Sequence, residues 1–325
     1  MALLRDWTLA LGKQVGRPAA RLQKDSGDPE VPRIRAAAAA ADWNTVRGIL
    51  EARPESEDRT ELLRAVGETA RVEQWITGAA EAEPESALPR VVAGMRHLHW
   101  GWEARTQARA THVSREQFEV FHDRLRTAER WLYEAAELEP RWTSPWYGLQ
   151  TTGRGLQVGP ALARRRFEAT VRRDPYHVGA HTQQLQQVCD KWGGSHEEMH
   201  AFAHASVFGA PAGTLLGRLI PEAHIEQWLS LDPGEDAAYV RRPDVAQSLH
   251  EAAEHSYRHP DFVRRGSWNG LLNLFAMAFS LAGDRDAARE CFRATEGRVS
   301  EFPWNYVDHR DPVAAYRKHR AAAGR

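Results

Sequence analysis

The run His196-Glu197-Glu198-Met199-His200 has the H-E-x-x-H spacing of zinc peptidases. Residues four apart on a helix share a face, so His196 and His200 would hold zinc side by side while Glu197 acts as the base on its water. Such a site needs a third ligand. His204 cannot supply it from the same helix, because eight residues at a rise of ~1.5 Å place it ~12 Å from His196. The nearest candidates downstream are Glu222, His224 and Glu226, and Glu226 completes the alternative metal set. Cys189, seven residues before His196, is a further donor in reach, although a lone Cys in a helical pattern usually packs as a small core residue. A structural account competes with the chemical one. Ser195 and Glu198 form an S-x-x-E capping box after Gly193-Gly194, so this turn opens a helix, whereas a zinc peptidase carries its motif well inside one. A capped helix with Met199, Phe202, Ala203 and Val207 on its apolar face is the preferred reading. A zinc-dependent hydrolase is the alternative.

A second cluster reads Arg96-His97-Leu98-His99-Trp100-Gly101-Trp102-Glu103-Ala104-Arg105. Its His, Trp and Arg side chains give both faces of one helix capacity for aromatic contact and charge-assisted hydrogen bonds. Trp146-Tyr147 lies beside the most regular part of the chain and adds large rigid apolar area. His97, His99, Trp100, Trp102, Arg105, Trp146 and Tyr147 are therefore the expected recognition surface for a protein or peptide, with a small-ligand sensor as an alternative. The competing structural account has the Trp rings filling gaps between helices while Glu103 pairs with Arg96 or Arg105. Arg164-Arg165-Arg166 and Arg172-Arg173 form a basic stripe that Glu168 and Asp174 interrupt, which reads as a solvated helix face. No phosphate-cradling glycine loop and no G-x-S-x-G motif occurs.

Composition narrows the classes. The chain has 325 residues, 42% hydrophobic and 27% charged, which is ordinary for a globular protein. Its 43 basic and 44 acidic side chains leave no net field to attract a polyanion, so nucleic acid is not an expected partner. Two cysteines about a hundred residues apart, Cys189 and Cys291, match no zinc or redox spacing and suit a reducing compartment. The start, MALLRDWTLALGKQVGR, lacks the unbroken apolar run of a secretory peptide, so a cytoplasmic location is expected. The run from Gly270 to Gly283 is too short for a span of ~20 residues and reads as a buried helix, so no membrane span is expected.

The elements that must position these residues are helices. Leu4, Trp7, Leu11 and Val15 share one face, which predicts an amphipathic helix over residues 1 to 22. QKDSGDPEVPR then predicts a linker over 23 to 33, and a helical-repeat domain occupies 34 to 325. Ala128, Leu132, Ala135 and Pro140 recur 35 residues later as Ala163, Phe167, Thr170 and Pro175, and Val72, Ile76, Ala79 and Pro84 keep the same internal spacing. Each set is an apolar helical face followed by a stop. Leu272, Phe275, Ala276, Phe279, Ala288, Phe292 and Thr295 reproduce both helices of such a unit. Residues 85 to 127 and 176 to 260 lose the period but should remain helical, and DPVAAYRKHRAAAGR should cap the final apolar face.

This pattern resembles the tetratricopeptide repeat, in which two helices occupy about 34 residues and a small residue lets them approach while a large one fills the next groove. The runs KWGGSHEEMHAFAH, PEAHIEQWLSL and FPWNYVDHRDPVAAYRKHR are similar to those of a functionally uncharacterised bacterial group of tetratricopeptide-like proteins. The resemblance implies an all-α solenoid of antiparallel helix pairs and no reaction. Noncovalent recognition in a concave groove then follows by analogy with the fold.

Overall fold

The computed structural model describes residues 18–23, 25, 27–105 and 113–324. Most of the expected N-terminal helix lies outside these residues, and its described end is not helical. Arg21–Leu22 forms a short strand, β1, which pairs in parallel with Arg298–Val299, β2. Gly297 makes the approach possible, since it has φ +77° and a Cβ there would stand 2.7 Å from the Ala19 carbonyl oxygen.

Every other regular element is helical among the described residues. The first helices are α1 (Glu30–Ala39), α2 (Trp43–Glu51), α3 (Glu57–Gly67), α4 (Ile76–Ala82), α5 (Ala87–Arg105) and α6 (Arg115–Leu138). The middle holds α7 (Ser144–Gly155), α8 (Pro160–Val171), α9 (Val178–Gln187), α10 (His196–Phe208) and α11 (Leu219–Ser230). The remainder comprises α12 (Glu235–Val240), α13 (Pro243–His255), α14 (Trp268–Ala282), α15 (Arg285–Ala294), α16 (Glu301–Trp304) and α17 (Pro312–Ala323). Local chemistry sets many of these starts. The Ser114 hydroxyl accepts from the Gln117 amide while the Gln117 side chain accepts from the Ser114 amide, and Asp42, Asp284 and Asp311 accept from amides three residues ahead. The array begins at Glu30, inside the stretch expected to be a linker. Pro32 falls in the first turn, where helical N–H groups have no intrahelical acceptor to lose, and Val31 and Ile34 are buried.

Most helices pack on their neighbours in the chain, as α5 does on α6, α6 on α7, α7 on α8, α10 on α11 and α14 on α15. A second set of contacts skips one helix: α3 meets α5, α5 meets α7, α7 meets α9 and α9 meets α11. These five helices form an inner layer flanked by α6, α8 and α10. Small and large residues mesh across it. Leu132 of α6 enters the space left by Gly94 of α5 and Gly148 of α7, where added Cβ atoms would sit 2.6 and 2.8 Å from its carbons. The segments that lose the repeat period are helical, and α5 and α6 are lengthened to 19 and 24 residues.

Two apolar cores result. Ile34, Leu62, Val91 and Phe121 belong to the first, and Met199, Leu219, Phe275, Phe292 and Trp304 to the second. The apolar run read as a buried helix is α14, in the second core; no described helix is long and apolar enough to cross a membrane. The terminal helix α17 buries Ala315, Tyr316 and Ala323, as its capping role requires. Phe167 is only half-buried, lying edge-on to His181 and Phe202.

A candidate binding site on the inner helix layer

The geometry of α5 divides the aromatic cluster expected to act as one surface. His97 and Trp100 face outward toward α6, where the Arg124 guanidinium lies 3.6 Å from the Trp100 ring centroid and donates to the Trp100 carbonyl. His99 and Trp102, three residues apart, face the inner layer. A Cβ on Gly67 of α3 would touch the His99 ring, and Trp102 meets Phe121 and Trp192 edge-on at 4.9 and 6.4 Å. The second pair divides as well. Trp146 lies in an outer depression with Pro140, Arg141 and Arg172, beneath Arg173, whereas Tyr147 stacks on His177 of the inner layer at 5.0 Å. Arg105 sits 5.6 Å from the Trp102 ring. Arg96 is structural: it is 1% exposed and paired with Glu73 at 2.6 Å and Glu103 at 2.8 Å.

The inner subset gathers around a residue that spacing did not single out. Arg154 is seven residues after Tyr147, which places both on one face of α7. Its guanidinium carbon lies 5.2 Å from the Trp102 ring and 5.3 Å from the Trp192 ring, in the corner between two nearly perpendicular indoles. Cation–π attraction offsets part of the cost of bringing this charge inside. The Nε atom is shut off from solvent and has no acceptor, and no carboxylate pairs with the group among the described residues. Burial lowers the Arg154 pKa from its ordinary value. The indole nitrogen of Trp102 and Nε2 of His99 are likewise buried without a partner. Buried polar atoms normally find partners, but His97 Nδ1 and Trp146 Nε1 on the outer side lack them too, so the feature particular to the inner surface is the Arg154 guanidinium between two indoles.

An acidic stripe on α3 closes the other side. Glu57, Glu61, Arg64 and Glu68 recur at helical spacing, and Arg64 pairs with Glu61 and Glu68. The Glu57 carboxylate accepts from the Val178 and Gly179 amides at 3.1 and 3.0 Å, capping α9 from 121 residues away. Glu55 accepts in the same way from Ser144 at the start of α7. The inner layer is thus tied shut at the N-terminal ends of α7 and α9. Burial sets the electrostatics here. It pushes the Glu57 carboxyl up to about 8 against its two amide donors, holds His99 and His177 down to about 4, and raises the Tyr147 hydroxyl to about 12. Burial also opposes ionisation of Glu61, yet Arg64 more than offsets it and keeps that carboxyl below its usual range.

The zinc-peptidase spacing resolves differently. Ser195 accepts from the Glu198 amide at 3.0 Å, so His196 and Glu197 occupy the first turn of α10. His196 Nε2 is hydrogen-bonded to the Ser230 hydroxyl at 3.0 Å and His200 Nε2 to the Gln227 side-chain oxygen at 2.8 Å. The ladder continues from the Tyr239 hydroxyl to His224 Nδ1, and from His224 Nε2 to Ser248. Both Nε2 atoms are thus engaged by α11, and His200 Nε2 also lies 3.2 Å from the Tyr239 hydroxyl. Glu226, the third member of the alternative set, is engaged by Lys191, Gln186 and Tyr306. Among the described residues no three His, Cys, Asp or Glu side chains are gathered as a metal site. Glu197 points to solvent. Burial raises the Cys189 thiol to about 11, and it donates to the Gln186 carbonyl.

No family model matches the chain, and no curated protein matches it. The site therefore has to be read from its own geometry. Arg154, Trp192 and the α3 stripe escaped sequence reasoning. Two signals pointed to them: the seven-residue step from Tyr147 to Arg154, and the 4-3-4 spacing of charges from Glu57 to Glu68.

Proposed function

We propose that this chain is a noncovalent protein- or peptide-binding module of the tetratricopeptide-like helical-repeat type, with its ligand held on the inner layer of α5, α7 and α9. The supporting observation is the Arg154 corner, where an inward-turned guanidinium lies between Trp102 and Trp192 without a carboxylate among the described residues. Trp, Tyr and Arg are the residue types that dominate binding hot spots. A charge drawn into protein without a partner costs stability, which a ligand group can recover on binding. The small-large meshing of Gly94, Leu132 and Gly148 and the two-helix periodicity support the repeat assignment.

Selection from a random peptide display library tests the reading. Peptides enriched on the wild-type protein should lose about 30-fold in affinity, corresponding to ~2 kcal/mol, on both Arg154→Gln and Trp192→Ala. Enriched peptides that bind both variants as tightly as the wild type would remove the inner layer as the binding face.

A further inference from the structure

We propose that Arg154 anchors a ligand carboxylate, with the apolar group next to that carboxylate lying against Trp102 and Trp192; this rests on the inner layer being a binding face. The chemistry follows from what each nitrogen of the guanidinium meets. Nε is sealed from solvent without an acceptor, while the two terminal nitrogens make no hydrogen bond among the described residues and belong to a side chain that is only half-buried. The free edge is therefore the fork of terminal N–H groups, whose geometry matches a carboxylate with two parallel bonds.

Charge bears on the choice of anion. Lys191 and Glu226 neutralise one another at 2.7 Å, Arg218 and Glu222 pair at 3.4 Å, and Arg64 is shared between Glu61 and Glu68. Among the described residues Arg154 is ion-paired with no carboxylate, and Arg105, 5.6 Å from the Trp102 ring, adds a second positive charge nearby. A carboxylate matches the fork of Arg154. A phosphate dianion would leave a negative charge beside Glu226, which acts on Arg154 across the same space. The indoles supply the rest of the selectivity: Trp102 and Trp192 meet at 79° and form an apolar corner that favours a carboxylate attached to a ring or branched side chain over a bare anion. Other inward Arg residues contrast with this one. Arg96 and Arg166 both hold carboxylates and backbone carbonyls at hydrogen-bond distance, so neither has a free edge.

Side-chain N–H resonances of Arg154 Nε and Trp102 Nε1 give a direct readout in the full chain. The probes are N-acetylphenylalanine, its neutral amide, N-acetylaspartic acid α-amide and inorganic phosphate. N-acetylphenylalanine should shift both resonances saturably, with the neutral amide and phosphate weaker by about tenfold or more. The aspartate probe, whose carboxylate has no ring or branched group beside it, should bind about tenfold or more weaker than N-acetylphenylalanine, and binding as tight would overturn the apolar corner. Arg154→Gln should abolish the response without lowering the melting temperature, and Arg154→Lys, which keeps the charge and loses the fork, should weaken it by about tenfold. Equal shifts with the amide, equal shifts with phosphate, or an undiminished Trp102 response in Arg154→Gln would overturn the proposal. Acid binding without any enriched peptide would refute the peptide reading alone, and enriched peptides indifferent to Arg154→Gln would refute the anchor alone.

Discussion

The two faces of α7 treat an inward arginine in opposite ways. On one face, Arg166 of α8 lies over Gly153, donates to Glu129 at 2.6 Å, to the Leu149 carbonyl at 2.7 Å and to the Tyr133 hydroxyl at 3.0 Å, and is 3% exposed. On the other, the very next residue, Arg154, lies against two indole rings and is paired with no carboxylate among the described residues; Nε lacks an acceptor in both arginines. Helix packing alone therefore does not explain why a charge is brought inside. In the first case the charge closes a seam between helices that are rich in Gly and Thr and poor in large apolar groups. In the second the charge packs against two indoles but is ion-paired with no carboxylate among the described residues.

The sharpest way to break this contrast is to remove Arg166. Arg166→Ala leaves the part-buried Glu129 with the Thr152 hydroxyl as its donor and should cost about 3 kcal/mol in urea unfolding. A loss below ~1 kcal/mol would mean that the seam does not depend on the ion pair. Phe167→Ala, on the same helix but half-buried, should cost about 2 kcal/mol, at or below the lower end of the range for deeply buried rings.

Acid separates the faces next. His177 has its folded pKa near 4, below its unfolded value, so its contribution is complete above pH ~6.5 and is lost as pH falls toward 4. Glu57, raised to about 8, acts with the opposite sign, adding stability as pH falls from 8 through the ordinary carboxylate range. Variants resolve the two. His177→Gln should lose about 1–2 kcal/mol less than wild type between pH 6.5 and 5, and a variant whose acid sensitivity matched wild type would show that the inner face does not govern it. The smallest effect is expected at the other arginine. Arg154→Gln should change unfolding free energy by less than ~1 kcal/mol, or raise it, because no hydrogen-bonded partner is left behind. A large loss there would make the two arginines alike.

What the sequence disclosed follows the range of the interactions involved. The helical character of the chain and the Ser114 and Ser195 caps depend on residues within a few helical turns, and periodicity records them. The Ser195 cap was legible because it is complete within four residues, although only half of the expected box forms: the Ser195 amide donates to the Val188 carbonyl and not to Glu198. Pro32 misled because a proline in a first turn and a proline in a linker look alike until the burial of Val31 is known. The inner site was hidden by curvature. Nothing local to Glu57 says that it will cap α9, and nothing local to Arg154 says that Trp192 will arrive beside it. The aromatic cluster on α5 was visible as a composition, but only the facing of successive helices sorts His99 and Trp102 from His97 and Trp100.

The junction at β1 and β2 changes how such an array comes apart. The Arg21 and Gln23 amides donate to the carbonyls of Gly297 and Val299, while Arg317 and Arg320 of α17 reach the carbonyls of Ala20 and Pro18. A row of stacked helix pairs ordinarily frays from its outermost members inward, each held by one neighbour. Here the outermost member is held on both sides, because the strand beside it leads through the Asp28–Arg53 ion pair into α1 at the opposite extremity. Melting α17 therefore also loosens the strand that precedes α1, so the two ends of the described helices are coupled.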